Sequence, residues 1–307
     1  MSTAFICGKI IVPKKRTERS EKMKIAISVE STSDLSEELL KKYDVKVIPY
    51  EITLGDLTFK DGKYTTAEMF ELVEKYKTLP KTTALNEFEY EEFFKSLLTE
   101  YEGVVHICLS SGITSSCGNA FKAAEKLENV YCVDSQSLST GIGLLALYAR
   151  ELATDGLLPE EIAEKTQSRA YKLQVSFVIE RLDYLYKGGR CNSLQLFGAN
   201  LLKLRPRIVL SEGKMKADKK YRGKMEAVVA KYCEEVLAEF DTPDLKRAFV
   251  TYTSATPEMV AAAKSALESA GFKEIIETHA GGTIASHCGP HTLGILYVND
   301  GGEVKPQ

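Results

Sequence analysis

The sequence lacks tryptophan, and only four of its 307 residues are histidine. It also lacks a long apolar run: none approaches the roughly 18 residues that a membrane-spanning helix needs, which argues against stable membrane insertion. Neither sign of charge dominates, because 40 basic and 43 acidic side chains give a net charge of −3. A chain so close to neutral has no overall basic character, and we therefore expect no nucleic-acid partner.

The seven cysteines are odd in number, and no two of them are spaced as Cys-x-x-Cys. Cys108 and Cys132 fall within predicted buried strands, where a thiol behaves as a small hydrophobic side chain. This usage indicates a reducing compartment rather than a disulfide framework. We therefore predict a cytoplasmic location.

Length and composition limit the number of domains that the chain can form. A chain of 307 residues, 44% of them hydrophobic, is long enough for two domains of about 150 residues. Residues 1–23 form a basic extension that we expect to be disordered, or to lie upstream of a true start at Met23. We assign residues 24–157 to an N-terminal α/β domain and residues 158–303 to a C-terminal α/β domain.

The order of strands and helices predicts the fold class. In the first half, apolar strands such as 25–29 and 104–109 alternate with helices such as 140–154. This rhythm predicts a mostly parallel sheet with helices on both faces. The second half is also α/β but less regular, with a hairpin at 207–217 and a loop rich in glycine and histidine at 278–292.

A loop rich in hydroxyl side chains, Ser110–Ser116, connects the strand 104–109 to a helical pattern. Backbone N–H groups and the positive end of a helix dipole make such a loop a candidate anion site. Its spacing matches neither the dinucleotide fingerprint nor the P-loop. An ordinary helix N-cap in a serine-rich loop would look similar, so the residues alone leave both interpretations open. Hydroxyls at 31–34 and 82–83 could face the same crevice at the ends of the strands.

Three of the four histidines lie in the loop 279–291. His287, Cys288 and His291 could be imagined as zinc ligands. Pro290 and the neighbouring glycines favour a tight turn instead, and the loop contains no acidic partner. We therefore expect no metal there, and a single imidazole that pairs with an anion is the favoured interpretation.

Two further patterns allow chemistry in the same crevice. Ser110, His287 and Asp134 could form a nucleophilic triad, although the Gly-x-Ser-x-Gly elbow is absent. The basic stretch Lys187–Arg190 could bind phosphate, since an Arg guanidinium matches that group, or it could be a solvated turn with glycine at positive φ. A hydrolase or phosphotransferase that acts on a small anion with a Ser/His pair is therefore one hypothesis.

Six motifs, taken in order, resemble those of the DegV family of bacterial fatty-acid-binding proteins, and the likeness runs from Lys24 to about Asp300. The matching stretches are Glu30–Leu35, Pro80–Thr83, Ser110–Ala120, Asp134–Ser135, Leu182–Arg190 and His287–His291. The stretch Leu182–Arg190 keeps the family pattern Leu-x-x-Leu-x-Lys-Gly-Gly-Arg intact. Departures from the family pattern at Glu30, Ser115, Cys117 and His291 bear on the head-group geometry and on ligand identity.

The resemblance implies a two-domain α/β protein that holds one long-chain fatty acid between its domains. Thr82 and Thr114 would hydrogen-bond the carboxylate. The supporting head-group residues would be Thr83, Ser115, Arg190, Ser286 and His287. The stretch 194–204 and the helix that begins at Thr140 are candidate walls of the acyl tunnel, although core packing explains them equally well.

The resemblance also implies a role. Family members present the bound acyl chain to a separate, ATP-dependent fatty acid kinase subunit, which phosphorylates it to an acyl phosphate. No cofactor, metal or catalytic machinery of its own is expected in such a lipid-binding subunit.

Overall fold

The computed structural model describes residues 22–191 and 204–302. The first twelve elements are β1 (Ile25–Glu30), α1 (Glu37–Lys42), β2 (Val45–Ile48), β3 (Glu51–Leu54), β4 (Leu57–Lys60), α2 (Thr66–Tyr76), β5 (Lys81–Thr83), α3 (Glu87–Leu98), β6 (Gly103–Cys108), α4 (Ser116–Ala124), β7 (Val130–Asp134) and α5 (Thr140–Thr154). Then follow α6 (Pro159–Ala170), β8 (Leu173–Val178), α7 (Leu182–Gly188), β9 (Arg205–Ser211), β10 (Lys214–Tyr221), α8 (Met225–Glu239), β11 (Arg247–Tyr252), α9 (Pro257–Ser269), β12 (Glu274–His279), α10 (Gly282–Cys288) and β13 (Leu293–Val298).

The N-terminal half contains the parallel sheet that the sequence predicted. Its strand order is β2-β1-β6-β7, and all three neighbouring pairs are parallel. Ile27 lies opposite Val45 on one side and Val105 on the other. These strands are nearly continuous apolar runs because both faces of a parallel sheet are covered by helices. The predicted α/β class, with its parallel sheet, is confirmed.

The C-terminal half forms a six-stranded mixed sheet in the order β10-β9-β8-β13-β11-β12. Only β11 and β12 pair in parallel among these strands, while the other neighbours are antiparallel. The predicted hairpin is β9 and β10, with a turn at Glu212–Gly213. Helices α8 and α9 cover one face of this sheet over a separate apolar core.

Helix α5 lies between the two sheets. It contacts β1 and β6 of the first sheet and β8 and β13 of the second. Twelve of its fifteen residues are buried, and a Cβ at Gly143 would lie 2.8 Å from a methyl carbon of Leu35. The apolar character of this helix is therefore explained by packing between the sheets. One core cluster accordingly includes residues of both halves.

Some short elements differ from the sequence prediction. Residues 278–292, predicted as a loop, contain the end of β12 and the whole of α10, and residues 82–83 belong to β5. Strand β5 pairs with β3 in a small antiparallel sheet of order β4-β3-β5. Elements of three to seven residues carry too few side chains to show a period, and contacts distant in sequence stabilise them.

The predicted domain boundary after residue 157 stays a prediction. Helix α6 follows it in sequence but packs against β6 and β7 of the first sheet. The stretch 192–203 lies outside the described residues, and with it most of the predicted tunnel wall at 194–204. Among the described helices, none is long and apolar enough to cross a membrane.

Candidate functional site

Helix α10 of the C-terminal half is held at its N-terminus by two carboxylates of the N-terminal half. The N–H of Gly281 donates to Asp34 Oδ1 at 2.8 Å. The N–H groups of Gly282 and Thr283 donate to Asp61 at 2.9 and 3.1 Å. The carboxyl oxygens of the two aspartates satisfy the free N–H groups at the start of the helix. This docking brings α10, with His287, to the crevice between the two halves.

His287 joins the predicted head-group residues of both halves. Its Nε2 shares a 2.9 Å hydrogen bond with Thr82 Oγ1, although the two residues are 205 positions apart. Gly188 packs directly on the ring, since a Cβ there would lie 2.6 Å from His287 Nδ1. Burial, with a smaller contribution from the Arg190 charge, lowers the pKa of His287 to about 4. The imidazole is therefore neutral at pH 7.

The depressed pKa of His287 predicts a pH dependence of stability. An unfolded-state histidine titrates near 6.5 and the folded one near 4, so the unfolded chain binds more protons between these values. The free energy of unfolding should therefore fall as the pH drops through this window, by about 2 kcal/mol at pH 5 for this group. Urea unfolding of lipid-free protein at pH 7.5 and 5.0 measures the difference.

The matched variant for this measurement is His287→Gln. It should show a smaller loss of stability between the two pH values, by about the same 2 kcal/mol. Equal losses in the variant and the parent chain would contradict the assignment of the titration to His287.

Behind His287 lies a partly enclosed, mostly apolar cavity of about 50 Å³, which we call the inner pocket. Its lining residues are Tyr50, Thr82, Ala84, Leu109, Ile113, Thr114, Leu138, Arg190, Met215, Thr283, Ile284, His287 and Cys288. They come from both halves of the chain, so the pocket lies between the two halves.

Three residues that line the inner pocket each carry a buried polar atom without a well-aligned hydrogen bond among the described residues. They are Tyr50 (Oη, which lies near the hydroxyls of Thr114 and Ser116), Thr283 (Oγ1) and His287 (Nδ1, which lies against Gly188). Burial raises the pKa of Tyr50, so its hydroxyl stays protonated and can donate. Unpartnered buried polar groups are rare and costly in folded proteins. Three residues with such atoms on the wall of one cavity favour a polar ligand group close to it.

The hydroxyl loop contributes Thr114 to the same pocket. Thr114 Oγ1 donates to Ser116 Oγ at 3.1 Å and accepts the N–H of Ser116 at 3.2 Å. Ser116 Oγ also accepts the N–H of Leu85 at 3.0 Å, which ties this loop to the segment after β5. Thr114 and Thr82 therefore lie on neighbouring walls of one pocket.

The inner pocket adjoins an open groove of about 720 Å³, the outer groove. Its lining residues are Val73, Glu74, Lys77–Thr82, Arg181, Asp183, Tyr184, Lys187, Gly188, Arg190, Ser286 and His287. Lys77 and Arg181 pair with carboxylates of the groove at 2.9 and 2.8 Å. Lys81, Lys187 and Arg190 have no such partner in the described parts of the chain, so the groove favours anions.

The other predicted supporting residues lie at the margin of the site. Thr83 and Ser115 are exposed, and neither lines the inner pocket. Ser286 is buried, and its hydroxyl donates to the carbonyl of Gly282 at 2.6 Å. Arg190 is exposed at the boundary of pocket and groove, where its guanidinium donates to the carbonyl of Gly188.

The alternative Ser/His arrangement does not assemble among the described residues. Ser110 Oγ donates to the carbonyl of Gly213 at 2.8 Å, and Asp134 accepts from Ser111 and Gln136. The imidazole of His287 bonds to Thr82 instead.

The zinc arrangement does not assemble in residues 22–191 and 204–302 either. His287 is engaged with Thr82, while His291 Nε2 lies 3.9 Å from Glu180. His291 has φ of +56°, in the left-handed region that favours glycine. This conformation gives a physical reason for the family pattern to have glycine at that position.

Sequence reasoning missed Tyr50 and Thr283. Tyr50 follows the end of β2. Ligand-binding residues of an open α/β sheet lie at the carboxyl ends of its strands, so this position could have identified Tyr50 from the sequence. Thr283 lay inside the predicted loop 278–292. Its place in the pocket depends on the docking of α10 by Asp61.

A family model and a known relative both match nearly the whole chain. The model of a family described as "Uncharacterised protein, DegV family" matches residues 24–300. A DegV domain-containing protein of Caldanaerobacter subterraneus is 29% identical over 278 residues, which are 89% of this chain and 98% of that protein.

Two solved structures have the same fold. One reports the fatty acid binding of a DegV family protein from Thermus thermophilus, with a TM-score of 0.81, 28% identity, and coverage of 91% of this chain and 100% of that one. The other is DegV, a fatty acid binding protein from Bacillus subtilis, with a TM-score of 0.79, 25% identity, and coverage of 91% and 100%.

Proposed function

The chain belongs to the DegV family, and from this premise we propose that it binds one long-chain fatty acid between its two domains. The carboxylate would lie where the inner pocket meets the outer groove, and the acyl chain would be buried beyond it. Relatives of similar structure from Thermus thermophilus and Bacillus subtilis bind fatty acids. The same class of ligand suits the pocket described above.

The observation that carries this proposal is that three residues on the wall of a mainly apolar pocket carry buried polar atoms without a well-aligned hydrogen bond. They are Tyr50, Thr283 and His287. A carboxylate can accept several hydrogen bonds at once and needs no full counter-charge. If the Thr82 hydroxyl donates to His287 Nε2, the neutral ring keeps its proton on Nδ1 and can donate it to the ligand.

Thr82 and Thr114 are the proposed carboxylate ligands at the mouth of the pocket. Both line it, and the Thr114 hydroxyl can turn from Ser116 towards an anion. The Thr82 hydroxyl has one proton, so it can donate to the carboxylate only in the other tautomer, in which His287 Nε2–H donates to Thr82 Oγ1. Thr83, Ser115, Ser286 and Arg190 would support the head-group region from its rim. Arg190 adds a positive charge that favours the carboxylate over the protonated acid.

The acyl chain would supply most of the binding free energy. Each buried methylene contributes about 0.8 kcal/mol, so some fourteen give about 11 kcal/mol before the cost of ordering the chain. The inner pocket, at about 50 Å³, is smaller than the roughly 300–1,000 Å³ of typical ligand sites. Binding therefore requires the pocket to widen, and the flexible side chain of Met215 on its wall suits that change.

We further propose that the protein presents the fatty acid to a separate kinase subunit rather than acting as an enzyme. The outer groove reaches the same residues that would hold the carboxylate, so a phosphoryl donor could approach from this side. Its cations Lys81, Lys187 and Arg190 would favour the more negative acyl phosphate. A cytoplasmic location, where ATP is available, is part of this proposal.

Extraction of the purified protein tests the proposal directly. Organic solvent should release about one fatty acid per chain, since a buried acyl chain of this length is retained through purification. Mass spectrometry of the extract identifies the chain length and counts the ligand. Recovery of no fatty acid, both as purified and after incubation with palmitate, would refute the proposed function.

Replacement of Thr114 by Val should weaken fatty acid binding without unfolding the protein. Loss of one hydrogen bond to a charged carboxylate costs about 1.5–3 kcal/mol, or roughly a 10- to 150-fold rise in Kd. Displacement of a fluorescent fatty acid measures the change. Thr99→Val is the matched control, because Thr99 is exposed at the end of α3 and its hydroxyl donates to the carbonyl of Ser96. Equal affinity of the two variants would remove Thr114 from the head-group site.

A further inference from the structure

A second set of potential ligand atoms lies on the first sheet, under helix α3. Alternate residues of β1 and β6 point to one face, so that face carries Ser28 and Glu30 beside His106 and Cys108. All four are fully buried. The rings of Tyr90, Phe93 and Phe94 surround the imidazole of His106, with centroids 5.3–6.3 Å away. The proposed function does not use these groups.

Three of these side chains converge on one point. The ligand atoms of Glu30, His106 and Cys108 all lie within 4.8 Å of one another. His106 Nε2 lies 3.5 Å from Glu30 Oε1 but makes no hydrogen bond among the described residues. A buried ring nitrogen without a hydrogen-bond partner, next to a carboxylate and a thiol, is the unexplained feature here.

Hydrogen bonds from neighbouring residues orient the side chains of His106 and Glu30, as such bonds do in metal sites. His106 Nδ1 bonds to Ser28 Oγ at 3.0 Å, and when this nitrogen carries the proton the Nε2 lone pair faces the cluster. Glu30 accepts the Tyr90 hydroxyl at 2.7 Å and the N–H of Leu109 at 2.8 Å. Such outer hydrogen bonds fix the direction of metal-binding imidazoles and carboxylates.

We propose that Glu30, His106 and Cys108 bind a zinc ion inside the N-terminal domain. The mixed oxygen, nitrogen and sulfur set suits zinc, which takes four ligands in tetrahedral sites. One carboxylate, one thiolate and Zn²⁺ sum to zero charge, which lowers the cost of burying them. The thiols of Cys117 and Cys132 adjoin that of Cys108 but lie outside this group of three ligands, and only a neutral fourth ligand keeps the net charge at zero.

The site would act on the head-group loop through the backbone. Glu30 holds the N–H of Leu109, and Ser110 begins the hydroxyl loop directly after it. A metal bound to Glu30 would therefore hold the carboxyl end of β6, where the hydroxyl loop begins, in a fixed position. It would be structural, since its three side chains are closed to solvent and none of them lines the inner pocket, although Leu109 and Tyr50 of that pocket lie beside Glu30.

Metal analysis of the full-length protein tests this assignment. We expect stoichiometric zinc in protein made in zinc-supplemented medium and purified without chelators or metal affinity resin. Because the site is closed, the protein is also unfolded with a chelator and refolded with Co²⁺. Refolded protein should then show the near-ultraviolet absorption of cobalt bound to a thiolate.

The matched variants are Cys108→Ala and Cys233→Ala. Both remove a buried thiol, but Cys233 lies in the separate core under α8 and α9. Cys108→Ala should hold at least about tenfold less zinc and show no cobalt–thiolate absorption, whereas Cys233→Ala should match the parent chain. Circular dichroism checks the fold of both. Parent protein without zinc or cobalt binding after both treatments, or unchanged metal content in Cys108→Ala, would overturn the proposal.

Discussion

Replacement of Tyr50 by Phe together with Thr283 by Val should lower fatty acid affinity by about 100-fold and make the ligand-free protein more stable. The affinity falls because two donors to a charged carboxylate are lost, each worth about 1.5 kcal/mol or more. The free energy of unfolding rises, by about 1 kcal/mol, because the buried Thr283 hydroxyl without a partner and the poorly aligned Tyr50 hydroxyl disappear from the folded state. A lower fatty acid affinity together with a higher free energy of unfolding is the result expected if these hydroxyls serve the ligand and not the fold.

Two measurements on lipid-free protein check this result: displacement of a fluorescent fatty acid, and urea unfolding. Tyr232→Phe is the control, because its hydroxyl is equally buried but donates to the carbonyl of Ser176 and accepts the N–H of Ile295. That variant should lose about 1–3 kcal/mol of stability and keep its fatty acid affinity. A double variant that is less stable than the parent chain, or that binds fatty acid equally well, would contradict the proposed role of the two hydroxyls.

Replacement of Asp34 by Ala should lower the free energy of unfolding by about 3–4 kcal/mol. Asp34 is 5% exposed, and it accepts the Ser139 hydroxyl at 2.5 Å and the N–H of Gly281 at 2.8 Å. Its removal leaves one buried donor, the Ser139 hydroxyl, and one half-buried donor, the N–H of Gly281, without partners. Asp34 also has φ of +51°, which Ala adopts only at a further cost. Fatty acid affinity should fall as well, because α10 carries His287 and loses one of its anchors.

Asp34→Asn is the matched variant, because Asn keeps an acceptor for Gly281 and tolerates the left-handed backbone. It should lose about 1 kcal/mol or less at neutral pH. Burial raises the pKa of Asp34 in the folded protein, so its contribution to stability is present at low pH and lost as the pH rises through that pKa. The stability of the Asn variant relative to the parent should therefore increase with pH. If Asp34→Ala unfolds in urea like the Asn variant, the carboxylate is not an anchor of α10.

Elements with a clear hydrophobic period were predictable from the sequence. Helix α5 was placed at its observed bounds, Thr140–Thr154, because its apolar residues extend over four turns. The parallel sheet followed from alternating apolar strands and helices. Helix α10 and strand β5 were not predictable, because contacts with Asp34, Asp61 and β3 stabilise them rather than their own residues.

The sequence determined the α/β class, the parallel sheet and, through six ordered motifs, the family of this protein, because these depend on local periods and on spacing along the chain. Only the tertiary structure decided which side chains share one site. Thr82 meets His287 across 205 residues, and Tyr50 and Thr283 line the same pocket from different halves of the chain. The physical reason is that α10 is held by carboxylates of the other half, and no local pattern in the sequence encodes contacts between residues so far apart.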